Sequence, residues 1–107
     1  MSTSVIDGNI AGLYAVSLTL DPASVATITT AEQDFTVPGV LPGDFIFSFA
    51  MQTATAGLGV AGYRVKAANT ISVTFVNPTA GAINAAAVVC KIMIARLDSD
   101  AVGGLPS

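Results

Sequence analysis

Residues 44–52 read DFIFSFAMQ, and aromatic or long apolar side chains stand at every second position of this stretch. Alternation of this kind is typical of a β-strand that buries one of its faces. The pattern predicts a strand in which Phe45, Phe47, Phe49 and Met51 share one face and contribute to the hydrophobic core.

The same alternation recurs along the chain, between short segments rich in Gly, Pro, Asn and Asp. It predicts further strands at residues 13–20, 24–30, 32–37, 60–67, 70–76 and 88–97. Pro38-Gly39 and Pro42-Gly43 each fit a type II turn, in which the glycine supplies a positive φ. Residues 83–97 also carry apolar side chains at helical spacing, so a helical turn at the start of this segment stays open.

The spacing of these strands predicts an all-β fold class, an antiparallel β-sandwich or jelly-roll-like barrel of six to eight short strands. The chain has 107 residues, the size of one domain. The strands place that domain at residues 13–97. Residues 1–12 are predicted to form an extended N-terminal arm, and residues 98–107 a C-terminal tail.

The composition excludes several classes of function. Hydrophobic residues make up 52% of the chain and charged residues 10%, against about 25% charged in a typical soluble domain. The absence of histidine excludes a Ser-His-Asp triad within one chain and makes a zinc site improbable. Four basic residues and a net charge of −3 do not provide the basic surface that nucleic-acid binding needs. We therefore expect no enzyme activity, catalytic residue, metal, cofactor or nucleic-acid partner.

The sequence also predicts where the protein is made. No stretch reaches the 18 or so consecutive apolar residues of a membrane-spanning helix, so no membrane partner is expected. The first residues, MSTSVID, lack the positive and then apolar regions of a signal peptide, which predicts a protein made in a cytoplasm. The single cysteine, Cys90, lies in an apolar run and is predicted to be buried.

The charges are sorted along the chain. The first 63 residues contain five acids and no base, whereas residues 64–97 contain four bases and no acid. Glu32 and Asp34 share one predicted strand face, and Arg64 and Lys66 share another. Two explanations are open: pairing within the chain, between neighbouring strands, and pairing between subunits, where complementary charges select the partner.

Three further patterns in the sequence bear on possible chemistry. Residues 57–62 match G-x-G-x-x-G, but they precede a predicted strand instead of opening a helix as a dinucleotide site requires. Glu32 and Asp34 have no evident nucleophile beside them and are expected to be solvated strand residues. Tyr14 and Tyr63 have rings that could stack on a sugar, which keeps carbohydrate binding as an alternative.

Two stretches carry a resemblance to a known family: VPGVLPGD at residues 37–44 and YRVKAANTISVTFVNPTAG at residues 63–81. The chain resembles the small β-sandwich capsid decoration (cement) proteins of tailed bacteriophages over roughly residues 35–97. The resemblance implies a non-enzymatic virion protein, made in the host cytoplasm and located on the capsid surface. It also implies a homotrimer that clamps adjacent subunits of the major capsid protein.

Interface residues are expected in three places, because apolar surface on a soluble protein usually marks a contact. They are Val5, Ile6, Ile10 and Leu13 at the N-terminal end, Val102 and Leu105 in the tail, and Arg64 with Lys66 as partners for an acidic patch. The alternative function is that of a phage spike, fibre or tail module that binds a carbohydrate or host surface, with Tyr14 or Tyr63 in its pocket.

Overall fold

A computed structural model describes residues 10–97 of the chain. It contains six β-strands: β1 Ile10–Leu20, β2 Thr29–Thr36, β3 Phe45–Met51, β4 Gly59–Ala67, β5 Thr70–Asn77 and β6 Val88–Leu97. No helix occurs within this range, and so none that could cross a membrane. The prediction of an all-β fold is confirmed.

The strands form two three-stranded sheets, with strand orders β1-β6-β3 and β2-β5-β4, and all pairings are antiparallel. The inner faces of the two sheets pack on each other, as in a small β-sandwich. The middle strands carry the most deeply buried side chains, including Ile92 on β6 and Ile71, Val73 and Phe75 on β5, each 0% exposed. Cys90 is buried as predicted, and burial raises the pKa of its thiol.

Strand β3, Phe45–Met51, contains a β-bulge. Ile46 pairs with Ile94 of β6, but the next pair is Ser48 with Met93, so Phe47 is an extra residue in β3. A bulge shifts the side-chain alternation by one residue. Phe49 and Met51 therefore pack against the core, whereas Phe45 and Phe47 are 42% and 62% exposed. The expectation that all four side chains share one buried face was wrong.

The start of the chain differs from the prediction in two places. The predicted strand at residues 24–30 does not form: Val25 makes an isolated bridge to Ile83, and Ile28 takes a positive φ in a turn. Only the last two residues of that segment enter a strand, β2. Strand β1 begins at Ile10, so residues 10–12 belong to the sheet and not to the predicted arm.

The two Pro-Gly turns and the last strand agree with the predictions made from the sequence. Gly39 and Gly43 have φ values of 94° and 96°, which the two Pro-Gly turns require and which glycine adopts at little cost. Residues 84–87 are not helical and lead directly into β6, so the strand interpretation of residues 88–97 is correct.

Candidate interaction surface

The outer face of the β1-β6-β3 sheet carries a group of exposed apolar side chains. Cross-strand partners lie on the same face of a sheet, and the register pairs Ile10 with Leu97 and places Leu13 and Phe45 on either side of Ala95. Ala95 is only 1% exposed between them. We call this surface the apolar face and define it by Ile10, Leu13, Phe45, Phe47 and Leu97, which are 37–62% exposed.

Phe47 joins this surface because of the β-bulge. Phe47 and Ser48 together stand opposite Met93, whose side chain lies on the outer face between the core residues Ile92 and Ile94. Lys91 is the one charged side chain on the outer face of this sheet within residues 10–97. The β1-β6-β3 sheet thus presents a nearly uncharged outer surface to its surroundings.

The outer face of the β2-β5-β4 sheet has the opposite character. Arg64 forms a two-point ion pair with Glu32, with nitrogen–oxygen distances of 2.9 and 3.0 Å, and Lys66 binds Asp34 at 2.8 Å. Ser72, on the middle strand, donates a hydrogen bond to Asp34 at 2.6 Å. We call the four charged residues the ion-paired face. The acids and bases that the sequence separates therefore pair within the chain, across β5.

These contacts also set the ionisation of the two acids. The Arg64 guanidinium lowers the pKa of Glu32, and the Lys66 ammonium, followed by the Ser72 hydroxyl, lowers the pKa of Asp34. Both carboxylates are therefore ionised and paired at neutral pH. Because all four side chains remain well exposed to solvent, the pairs keep this face hydrated and add little to stability.

A third ion pair lies at one end of the sandwich. The Arg96 guanidinium binds both oxygens of Asp44, at 2.9 and 2.7 Å, and donates a further hydrogen bond to the Gly39 carbonyl. The backbone amide of Leu41 also donates to Asp44, at 2.9 Å. Arg96, followed by the Leu41 amide, holds the pKa of Asp44 below its ordinary value despite burial. This pair fastens the two Pro-Gly turns to β6.

A cleft of about 390 Å³ opens beside this ion pair. Tyr14, Val16, Val40, Asp44 and Arg96 are among its lining residues. The Arg96 guanidinium lies 5.6 Å from the centre of the Tyr14 ring, in cation–π contact. Both oxygens of the Asp44 carboxylate already accept hydrogen bonds from Arg96 or Leu41. The pair therefore has a structural role in holding the turns.

The two tyrosines proposed for sugar stacking lie far apart in the fold. Tyr14 is on β1 and lines the cleft. Tyr63 is on β4, an edge strand of the other sheet. The centre of its ring lies 6.1 Å from the centre of the Phe49 ring. They do not form a shared aromatic platform.

The structure separates the predicted interface residues into two groups. Ile10 and Leu13 belong to the apolar face, whereas Arg64 and Lys66 lie on the other sheet in the ion-paired face. The remaining predicted residues, Val5, Ile6, Val102 and Leu105, lie outside the described residues.

Sequence reasoning missed three members of the apolar face: Phe45, Phe47 and Leu97. Their alternation with polar residues is the same signal that core residues give, and the bulge that turns the first two outward has no signature of its own in this sequence. It also missed the pairing of Asp44 with Arg96, for which the Pro-Gly-Asp turn is a weak signal.

We expect the acid side of the stability profile to depend on Asp44. Its folded-state pKa is lowered, so its contribution is present above the unfolded pKa and is lost as the pH falls through the folded pKa, below about pH 5. Asp44→Asn should lower the free energy of unfolding at pH 7 by about 2 kcal/mol. The variant should also lose less stability than the parent protein between pH 5 and pH 3. Urea unfolding at each pH measures both effects.

The control for this measurement is Asp21→Asn. Asp21 is exposed and forms no ion pair within residues 10–97. Replacing Asp21 should change the free energy of unfolding at pH 7 by less than about 0.5 kcal/mol. An Asp44→Asn profile with the parent's full slope would contradict the role given to this ion pair.

The fold and this surface together define a small antiparallel β-sandwich with one apolar and one ion-paired outer face. Within residues 10–97, no three His, Cys, Asp or Glu side chains are grouped so that they could hold a metal ion. Comparisons of the chain with protein-family models, with curated proteins and with solved structures found no match.

Proposed function

We propose that this chain is a structural virion protein: a capsid decoration protein that binds the outer capsid surface as a homo-oligomer and stabilises contacts between major capsid protein subunits. The single observation that supports it best is the apolar face. A surface of this kind serves adhesion to another protein surface, because burying it removes apolar area from water. The resemblance of residues 35–97 supplies the identity of the partner.

The size of the apolar face fits a contact that is repeated many times. Five half-exposed side chains of this size present on the order of 500 Å² of surface. Burying that area contributes about 12 kcal/mol before the cost of association. A contact of this size is weak to moderate for one copy, but a linked oligomer gains from simultaneous binding at several positions.

The two outer faces have complementary roles in this arrangement. The apolar face lies against the capsid, and the ion-paired face points to water. Because Glu32, Asp34, Arg64 and Lys66 lie on the outer face of the other sheet, docking through the apolar face does not require these charges to be desolvated. The mechanism is mechanical: each copy bridges neighbouring capsid subunits and raises the cost of separating them.

The decisive experiment adds purified protein to capsids that lack it and images the particles by electron microscopy. We expect ordered density at symmetry positions of the capsid. The variant Phe45→Ser/Phe47→Ser should bind at least a hundredfold more weakly, since each phenylalanine loses a buried contact worth about 1.5 kcal/mol or more.

A matched control removes two exposed apolar side chains that lie outside the apolar face. Ile28 and Leu41 are 74% and 47% exposed and stand in turns, so Ile28→Ser/Leu41→Ser should bind like the parent protein. Failure of the parent to bind at micromolar concentration would overturn the proposal. So would equal binding of the Phe45→Ser/Phe47→Ser variant.

One observation favours the second candidate function, a spike, fibre or tail module that binds a carbohydrate. Tyr14 is 48% exposed and lines the cleft together with Arg96, and a tyrosine ring beside hydrogen-bond donors suits a sugar. Titration with host-surface glycans, followed by NMR, would show shifts centred on Tyr14 if this function is correct. Glycan binding at the cleft without capsid binding would favour this candidate.

A further inference from the structure

Strand β1 is an open sheet edge. It pairs with β6 on one side only, and within residues 10–97 no backbone hydrogen bond reaches its other side. The strand is eleven residues long and reads IAGLYAVSLTL, without a charged residue or a proline. An edge of this kind leaves a row of unpaired N–H and C=O groups that can pair with another strand.

The other three sheet edges carry features that discourage such pairing. Strand β2 has Glu32 and Asp34 on its exposed face, and β4 has Arg64, Lys66 and two register irregularities. Strand β3 has the bulge at Phe47. Charges and bulges are the usual means by which proteins protect a sheet edge. Strand β1 has a single irregularity, next to Ile10 at its start.

We infer that β1 is a self-association edge, on which β1 of a second copy adds in antiparallel orientation about a two-fold axis. When a strand pairs antiparallel with its own copy, each contact of residue i with residue j is repeated as j with i, so the pairing satisfies two-fold symmetry. Because β1 is uncharged, its side chains face their own copies without repulsion between like charges. The β1-β6-β3 sheets of the two copies then form one continuous six-stranded sheet, in the order β3-β6-β1-β1-β6-β3.

This pairing has a consequence for the apolar face. Leu13 and Ile10 lie on β1 itself, so the apolar faces of two copies become neighbours on one continuous sheet. The combined face presents roughly 1,000 Å², compared with about 800 Å² per partner in a standard protein–protein interface. The inference goes beyond the proposed function, because it states how two copies join whether or not their partner is a capsid.

The test measures the mass of the protein by light scattering after size exclusion, at tens of micromolar. We expect twice the 10.7 kDa mass of the chain. Ala15 is the midpoint of β1, so Ala15→Lys/Ser17→Lys places like charges opposite each other and should yield a monomer with an unchanged β circular dichroism spectrum. In the dimer, the alternate β1 amides that do not bond to β6 should be protected from hydrogen exchange, and in this variant they should exchange rapidly.

The matched control adds two lysines to another edge strand. Thr30 and Thr36 are exposed on β2, and Thr30→Lys/Thr36→Lys should remain a dimer. The Phe45→Ser/Phe47→Ser variant should also remain a dimer, so that loss of capsid binding and loss of self-association are separate results. A parent protein with the mass of a monomer, or of the trimer that the family resemblance implies, would overturn the inference. A dimer that persists in Ala15→Lys/Ser17→Lys would overturn it as well.

Discussion

Replacing Phe75 with alanine is expected to lower the free energy of unfolding by about 4 kcal/mol. Phe75 is 0% exposed on the middle strand β5, and its ring meets that of Phe35 edge to face at 6.3 Å. The substitution removes most of a large side chain and leaves a cavity between the two sheets, because the surrounding strands cannot collapse into it. Equilibrium unfolding in urea measures the change.

Phe47→Ala is the matched control for this prediction. It removes the same atoms, but from a side chain that is 62% exposed. Its effect on the free energy of unfolding should be within about 0.5 kcal/mol. A large loss of stability in Phe47→Ala would mean that this ring is buried. That result would contradict the β-bulge in β3.

Replacing Asn77 with alanine is the second substitution for which we expect a large effect, a loss of about 3 kcal/mol. Asn77 is 0% exposed at the end of β5. Its amide nitrogen donates to the carbonyls of Val25 and Gly81, at 3.1 and 2.8 Å, and its side-chain oxygen accepts from the backbone amide and the hydroxyl of Thr79, at 2.9 and 2.6 Å. One side chain thus joins the loop that follows β5 to the distant segment that contains Val25.

The cost of Asn77→Ala arises from the partners that it leaves behind. The Val25 carbonyl and the Thr79 amide lose a hydrogen bond in a place where water does not readily replace it. Thermal unfolding and urea unfolding should both report the loss. Asn84→Ala serves as the control: Asn84 is exposed in the same connection between β5 and β6, and its replacement should change stability by less than about 0.5 kcal/mol.

Asn77→Asp separates the hydrogen bonds from the packing. The new carboxylate would retain the two contacts to Thr79 but would face the carbonyl oxygens of Val25 and Gly81. Burial beside these oxygens favours the protonated acid and raises its pKa in the folded state, so the destabilisation should shrink as the pH falls. A destabilisation that does not change with pH would contradict this arrangement of acceptors.

The middle of the fold could be predicted from the sequence with good accuracy. Residues 70–76 and 88–97 were expected to be strands, and they form β5 and β6 with almost the same bounds. Long runs of alternating or β-branched residues in these segments favour strands strongly. The Pro-Gly turns were equally readable, since the positive φ of Gly39 and Gly43 is a local requirement of the turn.

The apolar face was only partly predictable from the sequence. Ile10 and Leu13 were expected at an interface because they belong to the apolar N-terminal end of the chain, and the structure places them on the apolar face. Phe45 and Phe47 carry the same alternation signal as true core residues, and only the register of β3 against β6 turns them outward. That register is set by residues more than forty positions away in the chain, so a local pattern does not contain it.

The amino-acid sequence alone was enough to predict the all-β class, the two central strands, the two Pro-Gly turns between β2 and β3, and the presence of opposite charges on separate strands. Those features follow from side-chain periodicity and from the backbone preferences of proline and glycine, which act over a few residues. Three features required the tertiary structure: the pairing of charges across β5, the hydrogen bond from Asn77 to the Val25 carbonyl, and the outward orientation of two phenylalanines. All three depend on which distant segments become neighbours and in what register, because a shift of one residue moves a side chain from the core to the surface.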